Sequence, residues 1–236
     1  MPNPYFSFKR FTVYHNLCAM KVGTDGVLLG GWVNVREAEK ALDIGTGTGL
    51  IALMLAQRKD KLHIDAIDID HNAIEQAKEN IKQSPFFDQI QAFESSLQHF
   101  REAGRQYDLI VSNPPFFVQS LKSPHKERTL ARHTDSLSLE ELLEISAVLL
   151  TNKGKLSIIY PFEHKETLFS LSKKLGLYPS RITNVYPTPV SLPKRVLIEF
   201  SKTELPLIET NLIIEKERHV YSDEFTELVR DFYLAP

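Results

Sequence analysis

One cysteine in 236 residues, Cys18, leaves no partner for a disulfide within the chain. That usage suits a reducing compartment, and a cytoplasmic location is expected. The eight histidines are scattered, and no Cys/His cluster has zinc-ligand spacing, so no metal site is expected. No apolar run reaches the ~18 residues of a membrane span, so no membrane partner is expected. Met1-Pro2-Asn3-Pro4 is turn-like and lacks the apolar block of an export signal. Charge of one sign is not in excess: the net value of −2 argues against indiscriminate nucleic-acid binding while allowing a local basic face. Internal repeats and low-complexity linkers are absent. Residues 1–236 therefore read as one domain, with 1–37 as a cap or lid segment and a monomer as the expected state.

The stretch that organises the chain is Tyr107-Asp108-Leu109-Ile110-Val111-Ser112-Asn113-Pro114-Pro115-Phe116. Leu109, Ile110 and Val111 suit a strand buried on both faces. Two prolines cannot donate ladder hydrogen bonds, so the strand stops there. Ligands of open parallel α/β sheets bind at the carboxyl ends of strands, which places Asn113 and Phe116 at the mouth of a site. Asn-Pro-Pro-Phe suits methylation of a nitrogen attached to a planar π system. The Asn113 amide oxygen and the Pro114 carbonyl each accept an N–H, stabilising the charge that develops on a poorly nucleophilic nitrogen. Pro115 stiffens the loop, and Phe116 offers a face for a flipped base. Asn113, Pro114 and Phe116 are the catalytic candidates, with Pro115 and Phe116 on the substrate side. The bland reading is a strand-terminating turn with a half-buried aromatic.

Ala41-Leu42-Asp43-Ile44-Gly45-Thr46-Gly47-Thr48-Gly49 is a strand entering a glycine loop, followed by a helical pattern from Leu50 to Arg58. An NAD fingerprint needs glycine where Leu50 stands, and here it comes one residue early. The D-x-G-x-G-x-G form is that of the S-adenosylmethionine loop of class I methyltransferases. Gly45 and Gly47 admit the cofactor's methionine end; Asp43 orders the loop or reaches the ammonium through water. His63 to Asp68 is the second strand, and Asp68, about 20 residues beyond the glycines, is placed to accept two ribose hydroxyls. Asp70 caps the helix Asn72 to Ile81. Gln89 to Phe93 is the third strand. Ser96 follows it where this class often carries an Asp against the cofactor's adenine.

Beyond the central strand lie a charged loop of about 20 residues, Phe117 to Ser136, and a helix from Leu139 to Leu150. Arg128, Arg132 and His133 in the loop are either a clamp on RNA or a solvated helix. Strand five spans Lys155 to Tyr160, a helix Glu163 to Leu175, and an antiparallel pair Arg181 to Tyr186 and Val196 to Ser201. A further strand at Leu212 to Glu217 and a closing helix capped by Ser222 complete the chain. Upstream, Thr24 and Asp25 between Gly23 and Gly26 read as an Asx-type cap or as a lid over the cofactor.

Three further stretches carry a family resemblance. They are Phe8-Lys9-Arg10-Phe11 with Cys18-Ala19-Met20-Lys21-Val22-Gly23-Thr24-Asp25-Gly26, then Leu130-Ala131-Arg132-His133, then the tail from Tyr221-Ser222 to Phe232-Tyr233-Leu234. Over nearly its full length the chain resembles the bacterial tRNA(Val) adenine-N6 methyltransferase family. The resemblance implies a Rossmann-like class I fold, with a seven-stranded, mostly parallel sheet and helices on both faces. It implies S-adenosylmethionine as cofactor and tRNA as partner, with methylation of the adenine 3′ of the anticodon. Carried over by position, Asp43, Gly45, Gly47, Asp68 and Asn113 border the cofactor, Asn113 to Phe116 hold the adenine, and Lys21 and Thr24 touch the methionine end. Ser96 departs from the family's Asp. The Asn-Pro-Pro-aromatic loop by itself also serves guanine-N2 methylation of ribosomal RNA, adenine-N6 methylation of DNA and glutamine-N5 methylation of release factors. A SAM- and RNA-binding factor without turnover is the non-enzymatic alternative.

Overall fold

In the computed structural model, residues 3–18, 21–115 and 137–235 are described. The first elements are a short antiparallel hairpin, β1 (Tyr5–Ser7) and β2 (Thr12–Tyr14), and helix α1 (Thr24–Trp32). An alternating series follows: β3 (Lys40–Ile44), α2 (Leu50–Arg58), β4 (His63–Asp68), α3 (His71–Lys82), β5 (Ile90–Glu94), α4 (Leu97–Phe100) and β6 (Tyr107–Ser112). Then come α5 (Leu139–Leu149), β7 (Leu150–Pro161), α6 (Lys165–Lys174), β8 (Tyr178–Tyr186), β9 (Arg195–Ser201) and β10 (Ile208–Ile213). A small pair, β11 (Glu215–Glu217) and β12 (Val220–Tyr221), leads into α7 (Asp223–Val229).

The main sheet has the order β10-β8-β9-β7-β6-β3-β4-β5. Only β9 runs against its neighbours; every other adjacent pair is parallel. Among the described residues, the expected sheet of seven strands is therefore one of eight. The added strand, β10, joins the edge beside β8, where the Thr183 and Thr210 hydroxyls meet at 2.7 Å and Asn184 donates to Asn211 at 3.2 Å. Its run Glu209-Thr210-Asn211 is exposed and polar, so it lacks the apolar signature of a buried strand. That is why the sequence signal falls later, on Leu212 to Glu217, which straddles the end of β10 and all of β11.

Two apolar layers sandwich the sheet. Leu109 and Val111 pack with α1, α2 and α7 on one face, while Ile110 packs with α5 and α6 on the other. All three are almost fully buried, as a central parallel strand requires. The hairpin belongs to the first layer: Phe8 stacks on Phe11, and the Lys9 amide donates to the Phe232 carbonyl. Helix starts follow local chemistry. Asp70 accepts the Asn72 N–H, Ser222 accepts the Phe225 N–H, and Ser138 forms a capping box with Glu141. At α1 the cap differs from the expected Asx type. Gly23 occupies the N-cap without a side-chain bond, and Asp25 instead accepts from Arg195 Nε at 2.8 Å.

Candidate functional site

The site begins where β3 ends. Gly45 and Gly47 have φ of 70° and 56°, the left-handed region that disfavours a side chain. A Cβ at either would meet no atom within 4 Å, so the loop leaves open space in front of both glycines. Two donors pin the loop to the next strand: the Gly45 and Thr46 amides both donate to the Ile67 carbonyl.

Asp43 lies beneath this loop and is fully buried. Its Oδ2 accepts from Thr46 Oγ1 at 2.6 Å and from the Ala52 N–H at 3.2 Å. Among the described residues its Oδ1 has no partner. Burial pushes its pKa up to about 7, opposed by those two hydrogen bonds and assisted by Asp68. Asp43 thus orders the loop, one of its two expected roles, and keeps one carboxylate oxygen free. Asp68, at the end of β4, accepts from the Gly47 N–H at 2.9 Å and the Asp70 N–H at 3.0 Å. A carboxylate has about four acceptor sites, so both of its oxygens retain capacity for hydroxyl donors.

The register of β3 on β6 pairs Ile44 with Ser112, and Ser112 Oγ donates to the Ile44 carbonyl at 2.9 Å. Gly45 and Asn113 therefore each follow a paired residue at the ends of neighbouring strands. A cleft of about 370 Å³ opens here, lined by Gly45, Gly47, Asp68, Asn113, Pro114 and Pro115 among others. That volume falls within the range of small-molecule and cofactor sites. One glycine loop, a carboxylate that orders it and a second carboxylate on one wall suit a cationic nucleoside cofactor such as S-adenosylmethionine. The free Asp43 oxygen and the open space before the glycines fit that group.

Other expected contacts are placed elsewhere. Ser96 is the N-cap of α4, and its hydroxyl accepts the His99 N–H, while Ser95, Leu97 and Gln98 line the cleft. Lys21 and Thr24 are exposed and do not line it; Thr24 borders a second cleft. Phe116, Arg128, Arg132 and His133 lie outside the described residues. Cys18, which opens one of the resemblance stretches without a site role there, also lines the cleft, delivered by the segment after β2. Burial first, and then Asp68 and Asp70, push its thiol up to about 11, so it is a neutral thiol rather than a nucleophilic thiolate. Asn80, fully buried, is a residue without a signal. It donates to the carbonyls of Thr48 and Tyr14 and accepts the Tyr14 N–H, each at 2.9 Å. Only the weak cue of polar residues on the buried face of α3 marks it in the sequence.

Residues 20–176 match the sequence model of the methyltransferase small domain. A protein of Parabacteroides distasonis named tRNA1(Val) (adenine(37)-N6)-methyltransferase is 52% identical over 236 residues, 99% of each chain. The chain belongs to this methyltransferase family. A protein of the same name from Trichodesmium erythraeum is 50% identical over 97% of each chain. Among solved structures, a predicted O-methyltransferase from Agrobacterium tumefaciens superposes with a TM-score of 0.70 at 18% identity, covering 90% of this chain and 99% of that one. The last likeness shows the class I fold, and the family makes S-adenosylmethionine the cofactor. Among the described residues, no helix is long and apolar enough to cross a membrane.

Proposed function

We propose that this methyltransferase modifies N6 of adenine 37 in tRNA1(Val). The supporting observation is the Ile44–Ser112 register, which sets the Asn-Pro-Pro loop beside the glycine loop at the mouth of one cleft. Relatives of that name match the chain from end to end.

S-adenosylmethionine supplies the methyl group when bound. Gly45 and Gly47 let the backbone approach it, Asp43 holds their loop, and Asp68 accepts hydroxyl protons of its ribose. The Asn113 amide oxygen and the Pro114 carbonyl accept the N–H bonds of the adenine amino group. This favours a pyramidal nitrogen and stabilises its developing positive charge. Pro114 is buried and half-buried Asn113 lines the cleft, which puts this loop at the cleft wall. Phe116 stacks the extruded base beside Pro115, and Arg128, Arg132 and His133 hold the RNA backbone. An adenine in a single-stranded loop costs less to extrude than one in a duplex. Ser95 and Gln98 line the cleft beside Ser96, and one of these three side chains meets the cofactor's adenine in this reading. The working unit is taken as a cytoplasmic monomer, checked by the mass from light scattering.

The test is methyl transfer from labelled S-adenosylmethionine to unmodified tRNA, ribosomal RNA, duplex DNA and protein in parallel, followed by nucleoside digestion. N6-methyladenosine from tRNA alone is expected. Label in N2-methylguanosine or methylglutamine instead would refute the substrate assignment while keeping the cleft chemistry.

A further inference from the structure

A second cleft, of about 380 Å³, lies at the same end of the sheet as the first. It forms between the start of α1, the carboxyl ends of β8 and β10, and the C-terminal aromatics. Phe225 is buried at its base, and half-buried Tyr221 and Tyr233 stand beside it, with ring centroids 4.7 and 6.3 Å from Phe225. Asp25 and Arg195 form an ion pair at 2.8 Å that ties the start of α1 to the start of β9 and fixes the shape of the wall. Asp25 and Arg195 neutralise one another inside the cleft, which suits a neutral planar group there. Lys194 is exposed at the rim and pairs with no carboxylate among the described residues. The turn it closes, 187–194, also carries Val190 and Leu192 into solvent, 96% and 79% exposed.

The two clefts are neighbours. Sheet order places β9 two strands from β6, a lateral separation of roughly 10 Å. Cys18 lines the first and Thr24, six positions later in the sequence, lines the second.

Resting on the proposed function, we propose that this second cleft holds an unpaired nucleobase flanking the methylated adenine. The base stacks on Tyr221 or Tyr233, and Lys194 meets the adjoining phosphate. Aromatic faces with a cation at the rim are the means by which single-stranded RNA is held without base pairing. Val190 and Leu192 add apolar contacts to the loop, of the kind that wedge against unstacked bases.

The test uses the full chain with a stem-loop RNA carrying the target adenine. 5-Iodouridine is placed in turn at loop positions on either side of that adenine, and cross-linked peptides are mapped. Cross-links to the peptides holding Tyr221, Tyr233 or Lys194 are expected from at least one position. Tyr221→Leu and Lys194→Ala are expected to raise KM for the RNA roughly tenfold, with kcat and S-adenosylmethionine affinity unchanged. An abasic site at the cross-linking position is expected to raise KM of the wild type but not further that of Tyr221→Leu. Cross-links confined to other peptides, unchanged KM in both variants, or no RNA binding by the wild type each overturn the proposal. RNA bound and cross-linked at this cleft without N6-methyladenosine product would instead sink the proposed reaction and leave the subsite standing.

Discussion

Asn80 donates to the Thr48 carbonyl at 2.9 Å from the far side of the glycine loop, 32 residues away in sequence. The same amide holds Tyr14 by two further bonds, so one side chain on α3 clamps both the cofactor loop and the N-terminal segment that brings Cys18 to the cleft. Gln76, one turn earlier and also fully buried, extends the clamp by accepting the Leu17 N–H at 3.1 Å.

Asn80→Ala leaves the Tyr14 and Thr48 groups unsatisfied in or near the core. A loss of about 1–3 kcal/mol in unfolding free energy is expected, together with weaker S-adenosylmethionine binding. Denaturant melts and calorimetric titration check it. Full stability with unaltered affinity would show that the clamp is dispensable.

The burial of Asp43 beneath the glycine loop leads to an expected pH dependence. Its folded pKa, about 7, lies above the ordinary carboxylate value of 3.8. Between those values the folded protein binds more protons than the unfolded chain, so this group's contribution to stability falls as pH rises from about 4 to 7 and is level above that. Asp43→Asn keeps an acceptor for Thr46 and Ala52 and removes the charge. Without cofactor, that variant is expected to melt higher than wild type at pH 8, with the gap closing towards pH 5. Wild-type affinity for the cationic cofactor is expected to rise through pH 7, and in the variant to be weaker and flat.

Asn113→Ala removes one of the two proposed amino-group acceptors and leaves the glycine loop untouched. A fall of about 100-fold or more in kcat is expected, with S-adenosylmethionine binding preserved. Single-turnover kinetics alongside calorimetry separates the two effects, and unchanged turnover would remove Asn113 from the reaction.

Ser138 and Glu141 start α5 with a reciprocal capping box, in which the Ser138 N–H holds the Glu141 carboxyl below its ordinary range. Ser138→Ala is expected to cost about 1 kcal/mol. A thermal melt within error of wild type would show that this helix start is held by packing alone.

Local chemistry made much of this molecule legible before any fold was known. The glycine loop is readable because a positive φ selects glycine residue by residue. The strand 107–112 is readable because burial on both faces demands an unbroken apolar run. The Asp70 and Ser222 caps are readable because a cap bonds only two or three residues ahead. The edge strand β10 starts earlier than its apolar pattern suggests because half of an edge strand faces water and its polar residues pair through side chains instead. The choice of Ser95 over Ser96 in the cleft turns on a one-residue parity at a strand end, which the sequence leaves open. The contacts of Asn80 and Gln76 are illegible in sequence for a different reason. Each joins segments far apart in the chain, Asn80 to Tyr14 across 66 residues and Gln76 to Leu17 across 59. Sequence by itself determined where the glycine loop and the Asn-Pro-Pro loop fall, since glycine and proline restrict their own backbone. Tertiary structure alone decided which distant side chains hold those loops, because only sheet register and helix packing bring them within hydrogen-bond range.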